Sequence, residues 1–145
     1  MMTEEAQDRP YSKALNQLRD AGLRPTRQRL ALAKLLFDRG DRHVTAEILH
    51  EEAVASGAYV SLATVYNTLH QFTDVGLLRE VVVDSGCAYF DTNITDHYHF
   101  FYEEDSRLED VPSEMVTIHN LPQPPAGNDI SRVDVVIRVR SSNGA

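Results

Sequence analysis

Two periodicities divide this chain. From residue 11 to residue 76 the apolar positions return every three or four residues, the spacing of helices that bury one face. Leu15 and Leu18 mark a short helix over residues 11–21, stopped by Gly22. Pro25 and Thr26 open a second, with Leu30, Leu32, Leu35, Leu36 and Phe37 as its buried stripe and Arg39-Gly40-Asp41 as its end. Thr45 is the expected N-cap of a third, running to Val54 with Ile48 and Leu49 inward. Gly57-Ala58-Tyr59-Val60 makes a tight link. Ser61 then caps a fourth over residues 62–75, with Leu62, Val65, Leu69 and Phe72 inward and Gly76 as its stop.

Beyond Gly76 the pattern changes to strands. Two apolar stretches, 77–83 and 87–90, flank Asp84-Ser85-Gly86, which is turn chemistry. Residues 92–96 are polar. Residues 97–102 read as an aromatic strand, 103–106 as a turn, and 107–116 fit neither period. Leu121-Pro-Gln-Pro-Pro-Ala-Gly127 suits neither a helix interior nor a central strand. Over residues 132–140, Val133, Val135, Ile137 and Val139 alternate with Arg132, Asp134, Arg138 and Arg140, and only Val136 breaks the polar face.

Helices followed by a hairpin, with a helix–tight link–helix at the centre, predict a winged helix-turn-helix domain. The fold class expected is therefore α+β: a winged helix-turn-helix domain over residues 1–90, a hinge over 91–96, and a small α+β domain over 97–145. That second unit, of about 50 residues, is too small to be comfortably stable alone, so it is expected to pair with a second copy. The last five residues are expected to fray.

Charge sharpens this picture. The net charge of −8 argues at first against nucleic acid, but residues 9–42 hold nine Lys/Arg against three acids, a local +6 that leaves −14 for the rest. The expected phosphate contacts are Arg24, Arg27 and Arg29, with Lys13 and Arg19 beside them. On the fourth helix Thr64, Tyr66, Asn67, Thr68 and Gln71 fall outside the inward stripe. Asn and Gln can bond adenine, and a Thr methyl or aromatic edge can meet the thymine methyl, so an A/T-rich target is expected. No apolar run approaches the ~18 residues of a membrane span, and the opening MMTEEAQDRP is unlike a signal peptide. A cytoplasmic protein with no membrane partner is expected. One cysteine, Cys87, excludes an intrachain disulfide and a zinc site built mainly of this chain's cysteines.

The candidate chemistry lies in His97-Tyr98-His99. On a strand, residues i and i+2 share a face, so two imidazoles are presented together, as a metal ion or haem iron requires. Asp91 lies upstream, Asp110 downstream, and His43 at the expected head of the third helix. Carboxylates beside imidazoles suit Fe(II) or Mn(II) better than soft metals. The competing reading is a pair of surface histidines. A mononuclear iron enzyme would need an enclosed pocket and an open coordination position. The sequence offers no phosphate loop and no nucleophile–base pair, so an enzyme is not expected.

Arg24-Pro-Thr-Arg-Gln-Arg29, His43-Val-Thr-Ala-Glu47, Ser61-Leu-Ala-Thr-Val-Tyr-Asn-Thr-Leu69 and His97-Tyr-His99, in this order and spacing, resemble the ferric uptake regulator (Fur) family over residues 11–140. The run from Leu121 to Arg140 looks most like its iron response regulator (Irr) branch. The resemblance implies a homodimeric transcription regulator of iron homeostasis, a repressor on double-stranded DNA with inverted-repeat operators. It places the regulatory metal ligands on His43, Asp91, His97, His99 and Asp110, and the DNA contacts on Arg24, Arg27, Arg29, Ser61, Thr64, Tyr66 and Asn67. Within the Irr branch it also links His97 and His99 to haem. The peroxide-sensing branch is similar at the same ligand positions and gives the alternative, a peroxide-sensing Fe(II)/Mn(II)-dependent repressor. Three departures stand out. Tyr102 and Asp105 occupy the positions of the family's CxxC pair, so no four-cysteine structural zinc is expected. The proline-rich stretch 121–127 replaces a long helix. The N-terminal Cys-Pro haem motif of some Irr-like proteins is absent from this sequence.

Overall fold

The computed structural model describes residues 11–84 and 86–142. The acidic opening, Ser85 of the expected turn, and residues 143–145 of the expected frayed end lie outside them. The chain divides between Ile94 and Thr95 into two compact units.

The first unit contains α1 (Ser12–Asp20), α2 (Arg27–Phe37), β1 (His43–Val44), α3 (Ala46–Ala55), α4 (Leu62–Asp74), β2 (Arg79–Asp84) and β3 (Cys87–Asp91). Three helices begin where hydroxyl side chains can accept the unpaired amides of a first turn. Thr26 accepts from the Arg29 amide, Thr45 from Ile48 and Ser61 from Thr64, at 3.1–3.2 Å. α3 and α4 end on glycines in the left-handed region, Gly57 at φ +89° and Gly76 at φ +83°. The next amides, Ala58 and Leu77, reach back to the carbonyls of Ala53 and Phe72 at 2.9 Å. A side chain at either glycine would strain this closure. The tight link between α3 and α4 and the stop of α4 are therefore fixed by chain chemistry.

Leu18, Leu32, Leu36, Leu49, Val65, Leu69, Phe72 and Phe90 form the heart of one apolar core. Ile48 and Leu62, both expected inward, do not join it. Ile48 is 41% exposed, because Ala46, Leu49 and Ala53 face inward and a neighbouring residue lies about 100° round the helix. Leu62, at the first position of α4, is also exposed; the stripe begins one turn later with Val65, Leu69 and Phe72. Thr68, read from sequence as an outer-face residue, completes that stripe at 5% exposure.

The expected hairpin is present as β2 and β3, antiparallel, with a bulge between Val82 and Asp84. It gains a third strand. β1 pairs with the far side of β3, giving the order β1-β3-β2. His43 thus stands on a strand, two residues before the N-cap of α3, and not at the helix head.

The second unit is a three-stranded sheet of order β5-β4-β6, built from β4 (His97–Tyr102), β5 (Arg107–Pro112) and β6 (Val136–Val139). β4 and β5 are antiparallel; β6 runs parallel to β4. A parallel neighbour needs a crossover of about a dozen residues or more, supplied here by the proline-containing stretch after a single 3-10 turn at Ser113–Met115. The expected strand over 132–140 is four residues long. Its partner sets that length: β6 pairs only with His99 to Tyr102 of β4, and the His99 amide closes on the Val135 carbonyl. Among the described residues no helix is long and apolar enough to cross a membrane.

Candidate metal centre and nucleic-acid face

Along β4, burial alternates. His97, His99 and Phe101 are buried, while Tyr98, Phe100 and Tyr102 are half-buried. The two-residue repeat of a strand places both imidazoles on one face, with ring centroids 4.6 Å apart. Register then supplies the carboxylate. Asp110 lies directly opposite His99 on β5, where side chains of paired residues share a face. One oxygen, Asp110 Oδ1, lies 3.2 Å from His97 Nε2 and 3.5 Å from His99 Nε2.

His97 Nδ1 lies 2.5 Å from the Thr95 carbonyl. A carbonyl only accepts, so Nδ1 carries a proton. In the neutral imidazole Nε2 then holds a lone pair, the form that ligates metals. A lone pair and a carboxylate oxygen facing each other are both acceptors. Only a proton or a cation between them makes this contact favourable. The donor set of His97, His99 and Asp110, nitrogen and oxygen with no sulfur, fits Fe(II) or Mn(II). Haem finds no support in this geometry. Both Nε2 atoms converge on one carboxylate oxygen, whereas two axial imidazoles would approach one iron from opposite faces.

The first unit carries a similar pair. His43 on β1 and Asp91 at the end of β3 are register partners, with Nε2 and Oδ2 3.2 Å apart. Asp91 is 0% exposed, and its Oδ1 accepts the Asn93 amide at 2.9 Å. A buried carboxylate is costly unless hydrogen-bonded and matched by positive charge. β1 is two residues long, and the residue before it is anchored through its side chain and backbone. The Arg42 guanidinium forms a two-pronged ion pair with Glu52 at 3.0 and 2.6 Å and also donates to the Leu35 carbonyl. The Arg42 amide donates to Thr92 Oγ1, and the Thr92 amide donates to the Arg42 carbonyl. Arg42, Glu52, Thr92 and Thr95 thus support the donors. No periodicity marks them in the sequence. His50 contacts the Val60 carbonyl, and His70 lies edge-on to Phe90, as ordinary packing residues do.

The nucleic-acid candidates are placed unequally. Arg24 and Arg27 are exposed at the start of α2, and Asn67 is exposed on α4. Arg29 is engaged within the unit: it donates to Gln71 Oε1 at 3.0 and 3.3 Å and to the Arg24 carbonyl at 2.9 Å. It braces α2 against α4, and Gln71, expected to read a base, is its acceptor. Lys13 caps the carbonyl end of α2 at Phe37. Ser61 caps α4 and donates to the Thr64 hydroxyl. Tyr66 donates to Glu47 Oε2 at 2.8 Å, which raises the phenol's pKa above its usual value, assisted by slight burial and the Glu47 charge. Thr68 is in the core and reads nothing.

A helix-turn-helix with a wing, followed in sequence by a small sheet that carries paired imidazoles and a carboxylate, defines a class: metal-responsive, DNA-binding transcription regulators. This chain belongs to the ferric uptake regulator family, whose model matches residues 20–123. Its members are transcription regulators, not enzymes. The chain is 31% identical over 106 residues to the peroxide-responsive repressor PerR of Staphylococcus epidermidis, covering 73% of this chain and 70% of that protein. Among solved structures, it is similar to the ferric uptake regulator from Pseudomonas aeruginosa with manganese. That match has 26% identity and a TM-score of 0.67, over 89% of this chain and 98% of the other. The Vibrio cholerae ferric uptake regulator, at 21% identity and a TM-score of 0.67 over 87% and 98% of the two chains, shares the fold.

Proposed function

We propose that the chain is a cytoplasmic, homodimeric repressor of iron-related genes whose grip on A/T-rich inverted repeats is set by one Fe(II) or Mn(II) ion per chain. His43 and Asp91 from the first unit, and His97, His99 and Asp110 from the second, would hold that ion together. Three neutral imidazoles and two carboxylates supply two negative charges, matching a divalent cation. The observation that carries the reading is repeated: each unit sets an imidazole nitrogen 3.2 Å from a carboxylate oxygen across a strand pair.

The ion would favour the arrangement in which both half-sites contribute. A dimer must space two recognition helices by whole turns of the duplex, so an ion that links the units controls operator fit. It acts only through its different affinity for the linked and unlinked arrangements. Arg24 and Arg27 supply phosphate contacts and Tyr66 and Asn67 face the bases.

Mn(II) titration with electron paramagnetic detection tests the shared site. One equivalent should bind per chain, and His43→Ala and His97→Ala should each weaken it at least tenfold. Two independent equivalents, each lost in only one variant, would contradict the proposal.

The similarity to PerR repressors supports a second reading, peroxide sensing through oxidation of a ligand histidine. Peroxide treatment with Fe(II) would then add one oxygen atom to the peptide bearing His43 or His97. An unmodified peptide under conditions that release DNA would leave the iron-regulator reading.

A further inference from the structure

Tyr66 is the only Phe, Tyr or Trp on the exposed side of α4, and its hydroxyl proton is committed. Its Oη donates to Glu47 Oε2 at 2.8 Å. Glu47 stands in the first turn of α3, so the hydrogen bond joins the two helices of the helix-turn-helix. Tyr66 is 37% exposed and Glu47 is also exposed, so the pair lies at the surface and is not a core contact. The hydrogen bond is charge-assisted and is the largest cause of the raised Tyr66 pKa.

A carboxylate beside a recognition helix is unfavourable against phosphates. Two consequences give it a purpose. A phenol has one proton to donate, and Glu47 accepts it, so Tyr66 cannot donate to a base or a phosphate. With Oη anchored, the ring loses freedom and its exposed carbon edge becomes the surface presented to DNA. An aromatic edge packs against the thymine methyl, which marks A·T pairs in the major groove.

We infer that Glu47 is a positioning residue that determines specificity: it takes the Tyr66 hydroxyl proton and makes Tyr66 a reader of thymine methyl groups. The inference rests on the DNA-binding reading above. Glu47 sacrifices some affinity through its charge and gains discrimination.

The test uses the full chain with Mn(II). A duplex is selected from a randomised pool by the wild-type protein, and each thymine in turn is replaced by deoxyuridine, which lacks only the methyl group. Wild type should lose about fourfold at one position in each half-site, the effect of one buried methyl group. Glu47→Ala should bind all duplexes more tightly yet lose less than twofold at that position. Glu47→Gln, whose amide oxygen still accepts the phenol proton, should keep the fourfold effect. Tyr66→Phe should behave as Glu47→Ala in methyl sensitivity, and the double variant should add nothing. Equal gains in affinity for Glu47→Ala and Glu47→Gln with methyl sensitivity unchanged would overturn the inference, leaving Glu47 a simple repulsive charge. A wild-type protein that enriches no duplex would overturn the DNA-binding reading itself, whereas enrichment without any methyl-sensitive thymine would overturn only the role of Glu47.

Discussion

His43 and Asp91 are direct partners across the β1–β3 pair, and the side-chain contact follows from that register. β1 is two residues long, so the imidazole is only as well placed as the residues that hold β1 against β3.

Asp91→Asn tests the charge in this pair. The amide oxygen can still accept the Asn93 amide, so the loop after β3 should survive. The negative charge that offsets a cation is lost. Mn(II) affinity should fall at least tenfold, with the metal-free melting temperature changed by only a few degrees. Calorimetric titration and a thermal melt separate the two effects. Unchanged Mn(II) affinity would remove Asp91 from the ligand set.

Glu52→Ala tests the brace. It leaves the half-buried Arg42 guanidinium without its two-pronged partner. Losing one partner of such a pair costs about 1–3 kcal/mol, because the remaining charge is still partly desolvated. In a domain of this size that lowers the melting temperature by roughly 4–8 °C per kcal/mol. Mn(II) affinity should fall with it, although Glu52 is not a ligand. Urea titration measures the first effect and Mn(II) titration the second.

Arg27→Ala tests the phosphate face. Binding should weaken on every duplex sequence, and the slope of log affinity against log salt should flatten by about 1, the value for one phosphate contact. Arg29→Ala should differ. Arg29 braces α4 through Gln71, so its loss should also lower thermal stability. Fluorescence anisotropy over a salt series distinguishes the two.

Much of this organisation was legible in the sequence, for identifiable reasons. The N-caps Thr26, Thr45 and Ser61 and the stop at Gly76 are local chemistry, which depends on residues within one turn. His97 and His99 were legible because a strand's two-residue repeat acts on neighbours in sequence. What depended on distant partners was not. β1 is too short to show a period, and its strand character comes from β3, nearly fifty residues on. The length of β6 is set by the available stretch of β4. Arg29 reads as a phosphate contact until its acceptor Gln71 appears 42 residues away. Thr68 reads as an outer residue because its polarity hides its place on the buried stripe.

In the proposed mechanism a divalent cation held by His97 and His99, with their carboxylate partners, governs DNA affinity. The most direct measurement is operator affinity titrated against Mn(II) and Fe(II), for wild type and for the His97→Ala/His99→Ala variant. Wild-type affinity should change at least tenfold on metal addition, while the variant keeps the metal-free affinity at every metal concentration. A variant that responds to the metal as wild type does would contradict the account.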